Sequence, residues 1–428
     1  MRERPTVSLG EGFPREEAVV GLGMLGMDEG LHSQLIPVDG PDTVTPKKVL
    51  SLFGTRPEVI KLAPVIRQLE RLPFFHTVNV TSAQHTDLLY PFVRLFNLRI
   101  DYDLQVMQAE QTPNQVCARV LGALESLLVR EQPDLILVQG DTTTALAGAL
   151  AGFHHRLPVA HVEAGLRSGD PHNPYPEEMN RRLISQLATY HFAATLWNRD
   201  NLLAEGIATA QVFVTGNPVV DALHTIVTSD DNAPTLAPVL TETASLKRIV
   251  LTTHRRESFG AAMSDNLRVL RHFVETRQDI ALLFPVHPNP EVRRQATALL
   301  SQHPRIYLLP PLDYPTFLSL LSQAWLIVSD SGGIQEEAPT LRKPVLVLRE
   351  TTERPEAIAA GVARLVGGCP QRLANMLEEV YRDSSWMAAL QTCENPFGRG
   401  DSGRRVAQTI AGLLGTSCNP LTLPSSTL

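Results

Sequence analysis

The sequence contains few of the features that define several common protein classes. Its four cysteines, Cys117, Cys369, Cys393 and Cys418, are scattered over 428 residues without a C-x-x-C pair, which argues against a disulfide framework and against a zinc knuckle. Basic residues number 38 against 45 acidic ones, so the formal charge of −7 provides no general field for wrapping a nucleic acid. We therefore expect a globular protein in a reducing, cytoplasmic setting, without a nucleic-acid partner.

Long apolar runs are also missing. The longest early run, "AVVGLGMLGM" at residues 18–27, is flanked by two acidic residues on each side, which is the wrong flanking chemistry for a secretory signal. No run in the sequence approaches the length of a membrane span. Residues 1–46 mix glycine, proline and acidic residues without a sustained period, and we predict that they form a disordered N-terminal extension.

Beyond residue 46 the hydrophobic pattern is typical of an α/β fold. Short apolar runs such as "VLSLF" and "DLILVQ" alternate with longer amphipathic stretches, and the same rhythm resumes after the loose segment "TSDDNAPTLAPVLTETAS". The pattern predicts two Rossmann-like, doubly wound domains, at residues 47–217 and 218–395, with a cleft between them. Because ligands of such sheets bind beyond the carboxyl ends of the strands, the residues after each apolar run are the candidates for a site.

One such stretch is "SDSGGIQEE", which follows the apolar run "WLIV". We expect Ser331, Gly332 and Gly333 to form a turn that starts a helix, so that unpaired backbone N–H groups and the positive end of the helix dipole face a phosphate. A simple cap by Asp330 or Ser331 is the alternative. Glu337, one turn later, could accept hydrogen bonds from ribose hydroxyls or be a solvated helix residue.

Three acidic residues follow predicted strands or open a helix. Asp141 in "VQGDTTT" and Glu163 in "AHVEAGL" come after apolar runs, and Glu177 opens a helix behind Pro176. Acids at the ends of neighbouring strands converge on the ligand crevice, which suits proton transfer at carbon with a base on one face and an acid on the other. Helix capping is the alternative for Asp141, and a favourable interaction with the helix dipole is the alternative for Glu177.

Basic residues occupy similar positions. Arg56 and Lys61 follow the first strand, His254 follows the strand "RIVLTT", and Arg354 lies in a later loop. Arg56 and Lys61 could bind phosphate or be surface residues. His254 could bind phosphate, help a leaving group depart or be structural. The sequence has no G-x-G-x-x-G after the first strand and no G-x-S-x-G, H-E-x-x-H or P-loop lysine, so we expect neither a dinucleotide cofactor nor a metal.

Taken together, these residues resemble the UDP-N-acetylglucosamine 2-epimerase family, specifically its bacterial non-hydrolysing branch. The resemblance runs from about residue 48 to residue 412, and the segments "FGTRPEVIKLAPVI", "GDTTT", "HVEAGLRSGD", "DSGGIQEEAP" and "RETTERPEA" occur in the family's order. It implies a glycosyltransferase-B-like fold in which a helix at residues 396–415 returns to the first domain, followed by a flexible tail at residues 416–428.

The resemblance also implies a role for each candidate residue. The residues implied to bind UDP or its sugar are Arg56, Lys61, Phe317, Ser331, Gly332, Gly333, Glu337 and Arg354. Those implied to be catalytic are Asp141, Glu163, Glu177 and His254. Gln84 and His85 correspond to a second, allosteric substrate pocket, where this chain continues with Thr86 and Asp87.

The chemistry implied by the resemblance is inversion at C2 of UDP-N-acetylglucosamine to give UDP-N-acetylmannosamine for surface polysaccharide synthesis. The route is elimination and re-addition of UDP through 2-acetamidoglucal, without a cofactor, in a homodimer. The alternatives are a hydrolysing epimerase that releases N-acetylmannosamine and UDP, a glycosyltransferase of the same fold, or a non-catalytic nucleotide-sugar sensor.

Overall fold

The computed structural model describes residues 45–83, 86–108, 110–227, 236–253 and 260–416. Most of the predicted N-terminal extension and residues 417–428 of the predicted tail lie outside these ranges. The described chain forms two parallel sheets, called here the N-terminal sheet and the C-terminal sheet, with helices between successive strands. In this part of the chain, no helix combines the length and the apolar character needed to cross a bilayer.

The N-terminal sheet contains seven strands in the order β3-β2-β1-β4-β5-β6-β7. Its strands are β1 (Lys47–Phe53), β2 (Phe75–Thr81), β3 (Tyr102–Asp103), β4 (Leu135–Gln139), β5 (Val159–Ala164), β6 (Tyr190–Ala193) and β7 (Val212–Val214). The helices of this half are α1 (Arg56–Glu70), α2 (Thr86–Leu95), α3 (Pro113–Glu131), α4 (Thr143–His154), α5 (Glu177–Leu187) and α6 (Leu196–Ala204), with a 3-10 turn at Thr209–Gln211.

The C-terminal sheet contains six strands in the order β10-β9-β8-β11-β12-β13. Its strands are β8 (Lys247–Thr252), β9 (Ile280–Pro285), β10 (Ile306–Leu309), β11 (Leu326–Ser329), β12 (Val345–Val347) and β13 (Ala363–Leu365). Helices α7 (Pro218–Val227) and α8 (Ala237–Glu242) precede it. The remaining helices are α9 (Ala261–Glu275), α10 (Pro290–Leu300), α11 (Tyr314–Ser322), α12 (Gly332–Leu341), α13 (Pro355–Ala359), α14 (Pro370–Arg382), α15 (Ser385–Leu390) and α16 (Ser402–Leu413).

The central strands are buried on both faces. Every residue of β4 and β5 is buried, and β1 is buried from Val49 onward. Continuous apolar runs rich in branched residues, rather than alternating ones, are what a parallel sheet covered by helices on both sides requires. The doubly wound α/β fold predicted from the sequence is therefore confirmed.

Both sheets have the same doubly wound strand order, and this order determines where a ligand can bind. The strand order reverses between β1 and β4 in the N-terminal sheet and between β8 and β11 in the C-terminal sheet, although all the strands are parallel. Beyond the carboxyl ends of those strands a crevice opens, because the connections on either side turn away from each other. Asp141 follows β4, and Ser331 follows β11, so both lie at a reversal point.

Helices α7 and α16 connect the two halves. The Asp221 carboxylate of α7 accepts hydrogen bonds from the backbone amides of Ser402 and Gly403 at 3.1 and 2.9 Å. Helix α16 packs so closely on α1 that a Cβ at Gly403 would lie 2.7 Å from the carbonyl oxygen of Pro64. The apolar core consequently continues from the N-terminal sheet through α7 into the C-terminal sheet.

Helix α4 lies against the N-terminal sheet through a face of small residues. A Cβ at Gly148 would lie 2.5 Å from Leu52 Cδ2 and 3.0 Å from Val138 Cγ1, and both of those side chains are fully buried. The helix therefore contacts the strands at a distance that excludes even a methyl group.

We expect Gly148→Ala to destabilise the protein by about 1–3 kcal/mol, because the added methyl overpacks a core that cannot expand locally. The matched control is Gly122→Ala in α3, where a Cβ would have no neighbour within 4 Å. That substitution should raise stability by about 0.5–1 kcal/mol through helix propensity alone. Urea unfolding of the two variants measures both effects, and equal stability of the two would contradict the close packing of α4.

Candidate active site

The two loops at the reversal point of the N-terminal sheet are joined by one buried carboxylate. Glu58 Oε2 accepts hydrogen bonds from the amides of Gly54 and Thr55 at 3.0 and 2.8 Å, and its Oε1 accepts one from the Thr142 hydroxyl at 2.7 Å. Burial raises the pKa of Glu58 to about 7, against the lowering effect of these hydrogen bonds. Glu58 thus fixes the loop that carries Arg56 relative to the loop that carries Asp141.

Asp141 is held by the first turns of α5. Its carboxylate forms an ion pair with the Arg181 guanidinium, including a hydrogen bond from Nε at 3.0 Å, and its backbone carbonyl accepts a hydrogen bond from Asn180 Nδ2 at 2.9 Å. Glu178 is fully buried and pairs with Arg181 at 3.1 Å. Glu177 is half-buried at the start of the same helix. The predicted acids of β4 and α5 therefore belong to one connected region.

Glu163 lies at the end of β5 in a left-handed backbone conformation with φ of +64°. The pairing of β5 with β6 shifts register at this position, so a bulge directs the side chain out of the regular strand pattern. A non-glycine residue in this conformation is uncommon, and such strain is concentrated at functional sites. Its Oε1 accepts a hydrogen bond from Lys61 Nζ at 2.5 Å, and Gln139 donates to its Oε2.

The protonation of Glu163 reflects two opposing effects. Burial raises its pKa to about 7, while the positive charge of Lys61 acts to lower it. A carboxyl with a pKa close to neutrality can both accept and release a proton under ordinary conditions. Glu163 therefore combines a pKa near neutrality with a position at the end of β5, beside the reversal point of the N-terminal sheet.

Lys61 connects Glu163 to the C-terminal sheet. Its Nζ lies 2.9 Å from Glu336 Oε2 on α12, in addition to its contact with Glu163. Glu336 Oε1 in turn accepts a hydrogen bond from Arg354 Nε at 2.7 Å, and Arg354 also pairs with Glu353 at 2.6 Å. The exposed fraction of each of these five side chains is 12% or less. We refer to Glu163, Lys61, Glu336, Arg354 and Glu353 as the buried ion network.

The sequence pattern singled out Lys61 and Arg354 as phosphate contacts, and the structure brings both into this network. Glu336 and Glu58 were not predicted. Each had a local signal: Glu58 occupies the third position of a helix, where an acid caps the amino end, and Glu336 is the first of two successive acids in "GGIQEE". Their distant partners, however, could not be inferred from these positions.

Helix α12 begins at Gly332, with Ser331 as its N-cap. The predicted turn is therefore displaced, because both glycines belong to the first turn of the helix. The Ser331 side chain makes no capping hydrogen bond. A Cβ at Gly332 would lie 2.6 Å from Arg354 Nη1, whereas a Cβ at Gly333 would meet protein atoms only at 3.8 Å or beyond. The guanidinium of Arg354 thus lies directly beside the amino end of α12.

Glu337 is buried one turn further along α12. Its Oε1 accepts a hydrogen bond from the Tyr314 hydroxyl at 2.8 Å, and burial raises its pKa. The ring of Tyr314 lies 5.3 Å from that of Phe92 on α2, and the guanidinium of Arg56 lies 5.8 Å from the same Phe92 ring. Phe317 is half-buried on α11, one turn after Tyr314. Tyr314 and Phe92 thus connect Glu337, the predicted ribose contact of the C-terminal half, to Arg56 of the N-terminal half.

A further polar contact joins the two halves. Glu356 on α13 accepts hydrogen bonds from the Thr195 hydroxyl at 2.5 Å and from Asn198 Nδ2 at 3.1 Å. Thr195 follows β6 and caps α6, since its hydroxyl also accepts a hydrogen bond from the Asn198 amide at 3.1 Å. The predicted residues Gln84, His85 and His254 lie outside the described residues.

The fold and these contacts define the class of protein, a two-sheet α/β protein of glycosyltransferase-B-like architecture with charged groups from both halves at one site. A glycosyltransferase of kitacinnamycin shares the fold at 12% identity, with a TM-score of 0.60 over 86% of this chain and 99% of that one. Residues 67–411 match the family described as UDP-N-acetylglucosamine 2-epimerase. The chain belongs to the UDP-N-acetylglucosamine 2-epimerase family.

Individual relatives are similar over nearly their whole length. The UDP-N-acetylglucosamine 2-epimerase of Escherichia coli K12 is 44% identical over 374 residues, covering 85% of this chain and 98% of the relative. The enzyme of the same name from Bacillus subtilis is 39% identical over 363 residues, covering 85% and 94%. These relatives extend the family assignment to both halves of the described chain.

Solved structures give the same result. The UDP-GlcNAc 2-epimerase of Neisseria meningitidis, bound to UDP-GlcNAc, is 39% identical with a TM-score of 0.79, covering 85% of this chain and all of that one. Staphylococcus aureus MnaA in complex with UDP is 37% identical with a TM-score of 0.80, covering 87% and 98%. The predicted family and fold are therefore confirmed.

We expect Lys61→Met to destabilise the protein by about 3–5 kcal/mol at pH 8, because it leaves the buried carboxylates Glu163 and Glu336 without their shared cation. The deficit should shrink at pH 5.5. A carboxyl whose folded pKa is raised loses stability as the pH rises through that pKa, and removing Lys61 raises the pKa of Glu163 further. Urea unfolding at the two pH values measures the change.

Arg294→Met is the matched control for this substitution. Arg294 pairs with Glu291 at the surface, and its side chain is 68% exposed. Because exposed pairs are screened by solvent, little change is expected at either pH. A Lys61→Met protein as stable as Arg294→Met at pH 8 would contradict a stabilising role for Lys61 in the buried ion network.

Proposed function

We propose that this protein catalyses the reversible epimerisation of UDP-N-acetylglucosamine at C2, by elimination and re-addition of UDP through 2-acetamidoglucal. The observation that carries the proposal is the connection of a proton-carrying carboxylate, Glu163, through Lys61 and Glu336 to Arg354 beside the amino end of α12. A proton carrier and an anion site linked in this way suit a reaction that removes a proton and expels an anion from adjacent carbons.

The anion is the diphosphate of UDP. The amides at Gly332 and Gly333 together with the positive end of the α12 dipole favour a phosphate, and Arg354 adds a planar cation at the same place. Glu337 and Phe317 would contact the ribose and the uracil. The complexes of the related proteins with UDP and with UDP-GlcNAc support this assignment.

The elimination step needs both halves of the site. The C1–O bond breaks and its electron pair goes to the diphosphate, the C2 proton passes to a carboxylate, and a C1–C2 double bond forms. Preorganised cations stabilise the charge that develops on the leaving diphosphate. In the return step a proton reaches C2 from the opposite face, and the diphosphate oxygen re-forms the bond to C1, with Asp141 and Glu177 as the other candidate proton carriers.

The same proposal includes the product's use and the protein's assembly. UDP-N-acetylmannosamine would feed surface polysaccharide synthesis, and the active form would be a homodimer in the cytoplasm. Gel filtration with light scattering tests the assembly without reference to activity.

The anion site is tested by Gly333→Ala. The added methyl fits the protein itself, because its protein neighbours would be no closer than 3.8 Å, but it occupies the approach of the diphosphate. We expect the Kd for UDP to rise about tenfold or more, which corresponds to about 1.4 kcal/mol of binding free energy. Gly412→Ala in α16, where a Cβ would have no neighbour within 4 Å, should leave the Kd unchanged. A folded Gly333→Ala protein with the parental Kd for UDP would rule out a diphosphate site at the amino end of α12.

The reaction is tested by incubation with UDP-N-acetylglucosamine alone in D2O, followed by NMR of the sugar products. Proton loss to a carboxylate that exchanges with solvent should place deuterium at C2 of the product. Glu163→Gln should reduce turnover by about a hundredfold or more while UDP binding survives. Glu125→Gln, at a side chain that is 71% exposed on α3, should turn over at the parental rate.

The same experiment separates the alternatives. Retention of protium at C2 would exclude elimination. Free N-acetylmannosamine together with UDP would identify a hydrolysing enzyme. Absence of turnover would leave a glycosyltransferase, which releases UDP once an acceptor is added, or a non-catalytic sensor, which does not.

A further inference from the structure

The buried ion network forms a continuous path between the two functional parts of the site. Lys61 Nζ lies between Glu163 Oε1, at 2.5 Å, and Glu336 Oε2, at 2.9 Å. Glu336 uses its other oxygen for Arg354 Nε, at 2.7 Å. Lys61 therefore pairs with both Glu163 and Glu336, and Glu336 pairs with both Lys61 and Arg354.

The path ends at the amino end of α12. A Cβ at Gly332 would lie only 2.6 Å from Arg354 Nη1, so an anion at the Gly332–Gly333 amides would be next to that guanidinium. The other end of the path is Glu163, on the N-terminal sheet. Glu336 is the member of the C-terminal half that contacts Lys61 directly.

Shared partners make the charges interdependent. Charges in a site that excludes water interact more strongly than exposed charges at the same distance. Negative charge beside Arg354 offsets the attraction of Arg354 for Glu336, so Glu336 then attracts Lys61 more strongly. Lys61 consequently neutralises Glu163 less, and Glu163 holds a proton more tightly.

We propose that Glu336 is a positioning residue that couples negative charge at the anion site, formed by the Gly332 and Gly333 amides, to the proton affinity of Glu163. The inference rests on the proposed function and adds that the basicity of Glu163 changes in step with cleavage of the C1–O bond. As the C1–O bond breaks, negative charge accumulates on the diphosphate, and Glu163 becomes more basic while the C2 proton is leaving. Re-addition of UDP reverses the sequence, and Glu163 becomes more acidic again.

The electrostatics of the described residues agree with this coupling. The charged groups that face Glu163 are Lys61 on α1, Glu336 on α12 and Arg354 at the start of α13, and Gln139 on β4 donates a hydrogen bond. Burial raises the pKa of Glu163 to about 7, Lys61 opposes this effect, and Glu336 adds to it. Burial alone would raise the pKa of Glu336, but Arg354 and Lys61 hold it below its ordinary value.

The test measures protons taken up when UDP binds to the full chain. UDP is titrated calorimetrically at pH 8 in buffers of different ionisation enthalpy, a pH at which a carboxyl with a pKa of about 7 is mostly ionised. The wild-type protein should take up a substantial fraction of one proton. Glu163→Gln provides the baseline for protons bound by UDP and by other groups, and Glu336→Gln should reduce the uptake to that baseline.

Asp221→Asn is the control, because Asp221 is a half-buried carboxyl outside the buried ion network whose pKa is raised by burial and whose hydrogen bonds are with the backbone amides of Ser402 and Gly403. It should keep the wild-type uptake, and loss of the uptake in this variant would overturn the proposal. Glu336→Gln with wild-type uptake would also overturn it. Glu336→Asp, which retains the charge, should restore part of the uptake.

The wild-type protein also tests the idea without Glu336 variants. If UDP binds with no more proton uptake than in Glu163→Gln, the coupling does not exist, whatever the stability of Glu336→Gln. If UDP does not bind to the wild-type protein, the proposed function fails and this inference fails with it. UDP binding without the additional proton uptake therefore contradicts the coupling but leaves the proposed function intact.

Discussion

The buried ion network around Lys61 is the constraint on which the rest of the site depends. Burying charged groups is costly, and removal of one member of a buried pair leaves the other uncompensated. Here the carboxylates of Glu163, from the N-terminal half, and Glu336, from the C-terminal half, both lie within 2.9 Å of Lys61 Nζ. The network therefore joins Glu163 of the N-terminal half to Glu336 of the C-terminal half through one shared lysine.

The strand order of the two sheets explains why these groups meet. Each sheet reverses its winding once, and the residues that follow β1, β4 and β11 lie at the crevices this creates. Helix α4 packs closely on β1 and β4, as the short distances at Gly148 show. The same strand order therefore creates one crevice at each sheet, and the two crevices differ in the side chains that line them.

The division of labour between the halves follows from those residues. Among the candidate proton carriers, Asp141 follows β4 and Glu163 lies at the end of β5, both in the N-terminal sheet. The glycine-lined amino end of α12 and Arg354 belong to the C-terminal half. Phe92 against Tyr314, and Thr195 with Asn198 against Glu356, add apolar and polar contacts across the same boundary. In the proposed reaction, proton transfer and leaving-group binding are thus carried by different sheets and coordinated where the sheets touch.

Much of this could be predicted from the sequence. The alternating pattern predicts both sheets, and the positions of Asp141 and Glu163 after apolar runs place them at strand ends because strand and helix preferences act over a few residues. The precise start of α12 and the two-residue strand β3 were not predicted, since helix capping and sheet edges depend on contacts outside the local window. The domain boundaries at residues 217 and 395 stay predictions.

The sequence by itself determined the family, the doubly wound fold and most of the candidate residues. Only the tertiary structure decided that Lys61 lies between Glu163 and Glu336, that Glu58 joins two loops, and that Arg354 lies beside Gly332. The physical reason is that an ion pair or a buried hydrogen bond depends on the distance between side chains in space, whereas a helical acid has the same local pattern whether it faces water or a distant lysine. Lys61 and Glu163 are 102 positions apart in the chain, and folding alone brings them into contact.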